Sequence, residues 1–182
     1  GSAASWMIQK VGNNRGGLHN RTTKQIKLAP FTLAETETYL KARKLDFDRY
    51  QIIQLYMALG GIPHYLKEIK KGKSAVQNIN QICFVPNARL KQEFSRLYPA
   101  LFANAETHIS VIRALATKCR GLTRKEIGQL SKIAEGGSMS RVLDELIQSG
   151  FISAYRPYGK NKKTKLYRLT DEYSLFYLKF IE

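Results

Sequence analysis

Apolar positions recur at helical spacing along most of this chain, and the polar residues between them mark where each helix starts and stops. Thr32 and Glu35 stand three apart as a capping box and predict a helix through about Arg43. Asp48 caps RYQIIQLYMAL, which ends at Gly60-Gly61. IPHYLKEI starts another helix, with Pro63 in its first turn, where a missing N–H costs little. Ser74 caps AVQNINQICF. Two further helices span 88–102, bent by Pro99, and 106–117, with Ile109, Ile112 and Leu115 inward. Thr123 and Glu126 form a second capping box, opening TRKEIGQLSKI. Gly136-Gly137 turn the chain, and Ser138 caps MSRVLDELIQS, whose Val142, Leu143, Leu146 and Ile147 make one stripe.

Two stretches alternate instead. QIKLAP (25–30) reads as a short strand stopped by Pro30, after a short helix at 6–11 and a polar, glycine-rich loop at 13–21. FISAYRP (151–157) and LYRLT (166–170) read as two strands joined by the loop YGKNKKTK. Three helices followed by a basic hairpin is the order of a winged helix-turn-helix. The last segment, EYSLFYLKFI, is apolar nearly all round, so it must bury itself against something. The pattern predicts a mainly α chain: a helical bundle over 31–105, then a winged helix with a small hairpin over 106–182.

Composition narrows the partners. The 182 residues suffice for one or two domains, and 10 tyrosines and 8 phenylalanines exclude disorder throughout. No apolar run reaches the ~18 residues of a membrane span, and no signal peptide is visible. Cys83 and Cys119 make no CxxC pair, and His19, His64 and His108 lack metal-ligand spacing, so a reducing cytoplasm and no structural zinc are expected. Thirty Lys and Arg against 14 Asp and Glu give a net charge of +16, which favours a polyanionic partner. Arg156, Lys160, Lys162, Lys163, Lys165 and Arg168 fall between 154 and 168 with no acid and with Tyr155, Tyr158 and Tyr167 among them. Lysines on a wing can lie along DNA phosphates. Ser140 and Arg141 of the preceding helix are the candidates to reach a groove, although Asp144 and Glu145 follow and would repel phosphate. Gly72-Lys73-Ser74 imitates the end of a phosphate-binding loop, but Lys67 stands where that loop needs its first glycine, so Ser74 reads as a helix cap.

GSAASWM, NNRGGLHNR, IKLAPFTLAETETYL, GGIPHYL, GLTRKEI and LYRLTDEYSLFYLKFI, in that order along nearly the whole chain, resemble the prokaryotic AAA+-type ATPases called archaeal ATPases, relatives of the STAND switch NTPases. The resemblance implies that residues 1–30 are the remnant of a nucleotide-binding α/β domain, 31–105 its helical lid and 106–182 its winged helix. It implies a longer parent protein that binds ATP and magnesium upstream, while this stretch binds neither by itself and is inactive alone. Ser2 and Ser5 match the small polar residues of the first sensor; Ser5 reads equally as a helix N-cap. Arg21 matches an arginine finger, or is a solvated loop arginine. Gly61 and Pro63 match the lid's Gly-x-Pro motif against adenine, or make a plain turn between helices. The implied partners are DNA and the nucleotide-binding half of the parent, with further copies in an oligomer and no membrane. The alternatives are a stand-alone winged-helix DNA-binding regulator and a protein-interaction module without a nucleic-acid role.

Overall fold

The computed structural model describes residues 24, 26, 28–159 and 165–182. The helix and loop expected before residue 22 lie outside them. The described part of QIKLAP pairs with no strand, and Ile26 and Leu28 are exposed. Alternation makes a strand only where another backbone supplies the ladder. The described chain is mainly helical, with a small three-stranded antiparallel sheet. It divides into two compact units: Ala29–Arg96 together with Asp171–Glu182, and Leu97–Thr170. This division differs from the one expected at 105/106 and places the C-terminal helix with the helical unit.

In the helical unit, α1 (Leu33–Ala42) opens on the capping box: Thr32 Oγ1 accepts the Glu35 N–H, and the Glu35 carboxylate accepts the Thr32 N–H at 2.8 Å. Asp48 caps α2 (Arg49–Leu59), accepting the Gln51 N–H at 2.7 Å. Gly60 then takes a φ of +62°, and α3 (Pro63–Leu66) begins with proline at its first position. Ser74 caps α4 (Ala75–Ile79), but AVQNINQICF is not one α-helix: Asn80–Phe84 widen into a π-helical turn that buries Ile82 and Cys83. Burial pushes the Cys83 thiol up to about 12. Helix α5 (Arg89–Leu101) carries Pro99 in its last turn.

The C-terminal helix α9 (Glu172–Phe180), capped by Asp171, packs on α2 in this unit. Tyr173 is fully buried and donates to the Leu90 carbonyl at 2.6 Å; Tyr177 stacks on Phe94 with centroids 4.3 Å apart. Here the sequence's nearly uniform apolar helix finds its partner. Burial of Asp171 pushes its carboxyl up, opposed by its bonds to Ser174.

In the second unit, α6 (Ala105–Ala116) buries His108, Val111, Ile112 and Leu115, so the inward stripe runs through Val111, and Ile109 is only half-buried. The two-residue strand β1 (Leu122–Thr123) leads into α7 (Arg124–Ser131), which the Thr123–Glu126 capping box opens. Lys132, at a φ of +58°, ends α7 two residues before the expected Ile133. The next helix, α8, spans Gly137–Gln148, so Ser138 lies inside it and is not its cap. Gly136 occupies the cap position, and its carbonyl accepts Ser140 N–H at 3.2 Å and Arg124 Nη2 at 2.6 Å. Strands β2 (Ile152–Tyr155) and β3 (Leu166–Leu169) complete a sheet ordered β1-β3-β2. The register pairs Ile152 with Leu169, Ser153 with Arg168, Ala154 with Tyr167 and Tyr155 with Leu166. Leu122 opposes Tyr167 from the other edge. Period-2 alternation therefore puts Tyr167 and Leu169 in the core beneath α6 and turns Arg168 outward.

Candidate nucleic-acid interface

Helix α8 and the β2–β3 hairpin hold most of the expected contact residues. Met139, Val142, Leu143 and Leu146 bury one face of α8, part of it against β2. Arg141 is left exposed, its Nε 4.0 Å from Glu145 Oε1 one turn on. Ser140 is half-buried, and its hydroxyl turns back to the Gly136 carbonyl at 3.4 Å.

Glu145 is not a free acid beside this surface. Its Oε2 lies 2.8 Å from Nε2 of buried His108, whose Nδ1 lies 3.0 Å from the Asn104 carbonyl. Phe102 stacks on the imidazole at 4.0 Å, fixing the ring that ties α6 to α8. The carboxylate that the sequence sets against phosphate is thus turned inward, and Asp144 alone of the pair remains exposed.

Arg156 follows β2, Lys165 precedes β3, and both are exposed at the loop end of the hairpin, next to the Tyr155–Leu166 pair. Lys165 Nζ lies over the Tyr167 ring at 5.3 Å. Arg168 projects from the opposite face of β3. The hairpin thus presents its cations on two faces, not as one row. Lys160, Lys162 and Lys163 lie outside the described residues, as do Ser2, Ser5 and Arg21. Sequence reasoning missed Arg120. Its carbonyl accepts the Tyr155 hydroxyl, which sets this exposed cation beside β2. The only signal was its place in the short turn before the Thr123 capping box.

Close packing holds the helices behind this surface. An added Cβ on Gly128 would lie 3.1 Å from the Ile133 carbonyl oxygen and 3.8 Å from Met139, so this glycine lets α7 and the following turn approach. Glu126 closes the α7 cap and also accepts from Lys118 at 2.9 Å. The Thr123 backbone bond first, then Lys118, holds its carboxyl down to about 2.

Gly61 and Pro63, in the helical unit, answer to local packing. A Cβ on Gly61 would sit 1.8 Å from the Phe31 carbonyl oxygen; the Gly61 carbonyl accepts the Phe31 N–H at 2.7 Å, and Tyr56 donates to the Phe31 carbonyl at 3.1 Å. Pro63 is exposed at the start of α3. At Gly72-Lys73-Ser74 the amides that follow Lys73 are engaged in the helix cap and with Gln51. Ser74 N–H donates to Gln77 Oε1, Ala75 N–H to Gln51 Oε1, and Gln77 N–H to Ser74 Oγ. Among the described residues no cluster of three or more His, Cys, Asp or Glu could hold a metal ion, and no helix is long and apolar enough to cross a membrane. Comparison with protein-family models, with curated proteins and with solved structures returns no match for this chain.

Proposed function

We propose that α6 to β3 form a winged helix-turn-helix that contacts DNA, with α8 toward a groove and the β2–β3 hairpin as a wing along phosphates. The observation that carries this reading is the hairpin's charge: Arg156, Lys165 and Arg168 are exposed, none is in an ion pair among the described residues, and no acid lies between 154 and 168. The element order and the β1-β3-β2 sheet support it.

The motif order supports a wider role, in which this chain is the lid and DNA-facing part of an AAA+/STAND-type ATPase switch. In that role a nucleotide-binding half supplies the grip on ATP and magnesium, Ser2, Ser5 and Arg21 reach toward the phosphates, and Gly61 and Pro63 form the lid turn. The chain by itself then binds ATP weakly or not at all, and titration calorimetry giving a micromolar constant would contradict that division of labour. An affinity of that order is about 8 kcal/mol, more than an isolated lid turn supplies.

Fluorescence anisotropy with a labelled duplex over a salt series tests the wing. With about four of the six hairpin cations from Arg156 to Arg168 on phosphates, the wing contributes roughly −3 to −4 to the slope of log affinity against log salt, and replacing Lys160, Lys162, Lys163 and Lys165 together by alanine flattens that slope strongly. The loss is the same for all sequences, because phosphate contacts carry no base information. Binding and slope unchanged by the four alanines would move the preference to a protein-docking wing.

A further inference from the structure

A second cluster of cations lies in the helical unit, far along the chain from the wing. Lys67, Lys70, Lys71 and Lys73 fall within seven residues of the α3–α4 connection. The first three are exposed and Lys73 is half-buried. Among the described residues none of the four is in an ion pair. Arg43, just after α1, donates to the carbonyls of Leu66 and Ile69 at 2.7 and 3.2 Å and so ties this segment to the end of α1. Of the nearby acids, Glu68 is held by Arg89, and Asp46, in no ion pair among the described residues, lines an open depression of about 300 Å³ together with Phe47, Gln51, Lys71 and Lys73.

Like charges so close repel, and a loose loop would spread them apart. This loop cannot spread. Asn78, buried to 1% exposure, accepts the Lys70 N–H at 2.8 Å and donates to the carbonyls of Lys70, Lys73 and Ser74 at 3.3, 3.2 and 3.0 Å. Gly72, at a φ of +78° with open space around it, makes the tight turn between the two clamped points. The backbone is fixed from inside, and the four lysines that leave it are in no ion pair among the described residues.

We propose that this clamped lysine loop is a second phosphate-contact surface for duplex DNA, separate from the wing. It rests on the DNA reading above for the identity of the polyanion, but its residues, unit and test are its own. An open depression cannot enclose a small anion, whereas several lysines on one fixed loop suit backbone phosphates spaced along a duplex.

Anisotropy of the full chain with a labelled duplex, over a potassium chloride series, separates the two surfaces. Lys67→Ala, Lys70→Ala, Lys71→Ala and Lys73→Ala together should weaken binding about tenfold or more at low salt and flatten the slope by roughly 2 to 3, alike for all sequences. Arginine at the same four positions should keep the slope, because it keeps the charge. Both variants leave Asn78 and its bonds in place, and coincident thermal melts check that the loop is intact. An alanine variant with the affinity and slope of the natural chain overturns the proposal, whatever the wing does. Conversely, a loop variant that flattens the slope while the four wing alanines leave it unchanged upholds the loop and overturns the wing.

Discussion

Gly61 shows how a residue can match a binding motif and still owe its identity to packing. The three atoms nearest to its missing side chain all belong to the Phe31 backbone, the carbonyl oxygen at 1.8 Å. Gly61→Ala must push that strap away and break the bond between the Phe31 N–H and the Gly61 carbonyl. It should lower stability by about 2–3 kcal/mol in urea unfolding, as overpacking does. Gly72→Ala meets no atom and should cost only about 1 kcal/mol, from its positive φ. Glu126 makes a prediction with a sign. Its carboxyl is held down to about 2 in the folded chain against an ordinary 4.5. Its stabilising share is therefore present above about pH 4.5 and is lost as pH falls toward 2. Glu126→Gln should flatten the acid limb of a melting-temperature profile in that window; a profile that keeps its full slope would contradict the assignment.

At the scale of elements, legibility followed locality. The boxes at Thr32–Glu35 and Thr123–Glu126 were readable because both partners sit within one turn. The start of α8 was not, because its cap carbonyl is engaged by Arg124, twelve residues away. β1 was missed because two residues carry no period, and the strand exists only through its pairing with β3. The π-helical turn at Asn80–Phe84 hides inside a helical pattern that differs from it by one residue of hydrogen-bond spacing. The partner of α9 was also hidden: uniform hydrophobicity says that a helix is buried, not against what. α9 now makes the strongest elemental prediction. Tyr173→Phe removes the bond to the Leu90 carbonyl and should cost about 1 kcal/mol. Tyr173→Ala also empties a fully buried site and should cost about 3–5 kcal/mol. Urea unfolding followed by tyrosine fluorescence reads both, and equal costs would contradict the packing described for α9.

At the scale of the whole molecule, part of the net charge of +16 sits on cations that are in no ion pair among the described residues. Arg120, Arg156, Lys165 and Arg168 stand near the hairpin, and Lys67, Lys70, Lys71 and Lys73 on the clamped loop. Charge was legible in the sequence, but its geometry was not. Only the fold shows that Glu145 reaches both His108 and Arg141, that Arg168 and Tyr167 face opposite ways, and that Asn78 fixes the backbone of the lysine loop. The measurement that tests the account most directly is amide hydrogen exchange of the full chain with and without a saturating DNA duplex at low salt. The account predicts slowed exchange at the start of α8, around Ser140 and Arg141, and through the hairpin from Ser153 to Leu169. Bound duplex with unchanged exchange in both segments would contradict it.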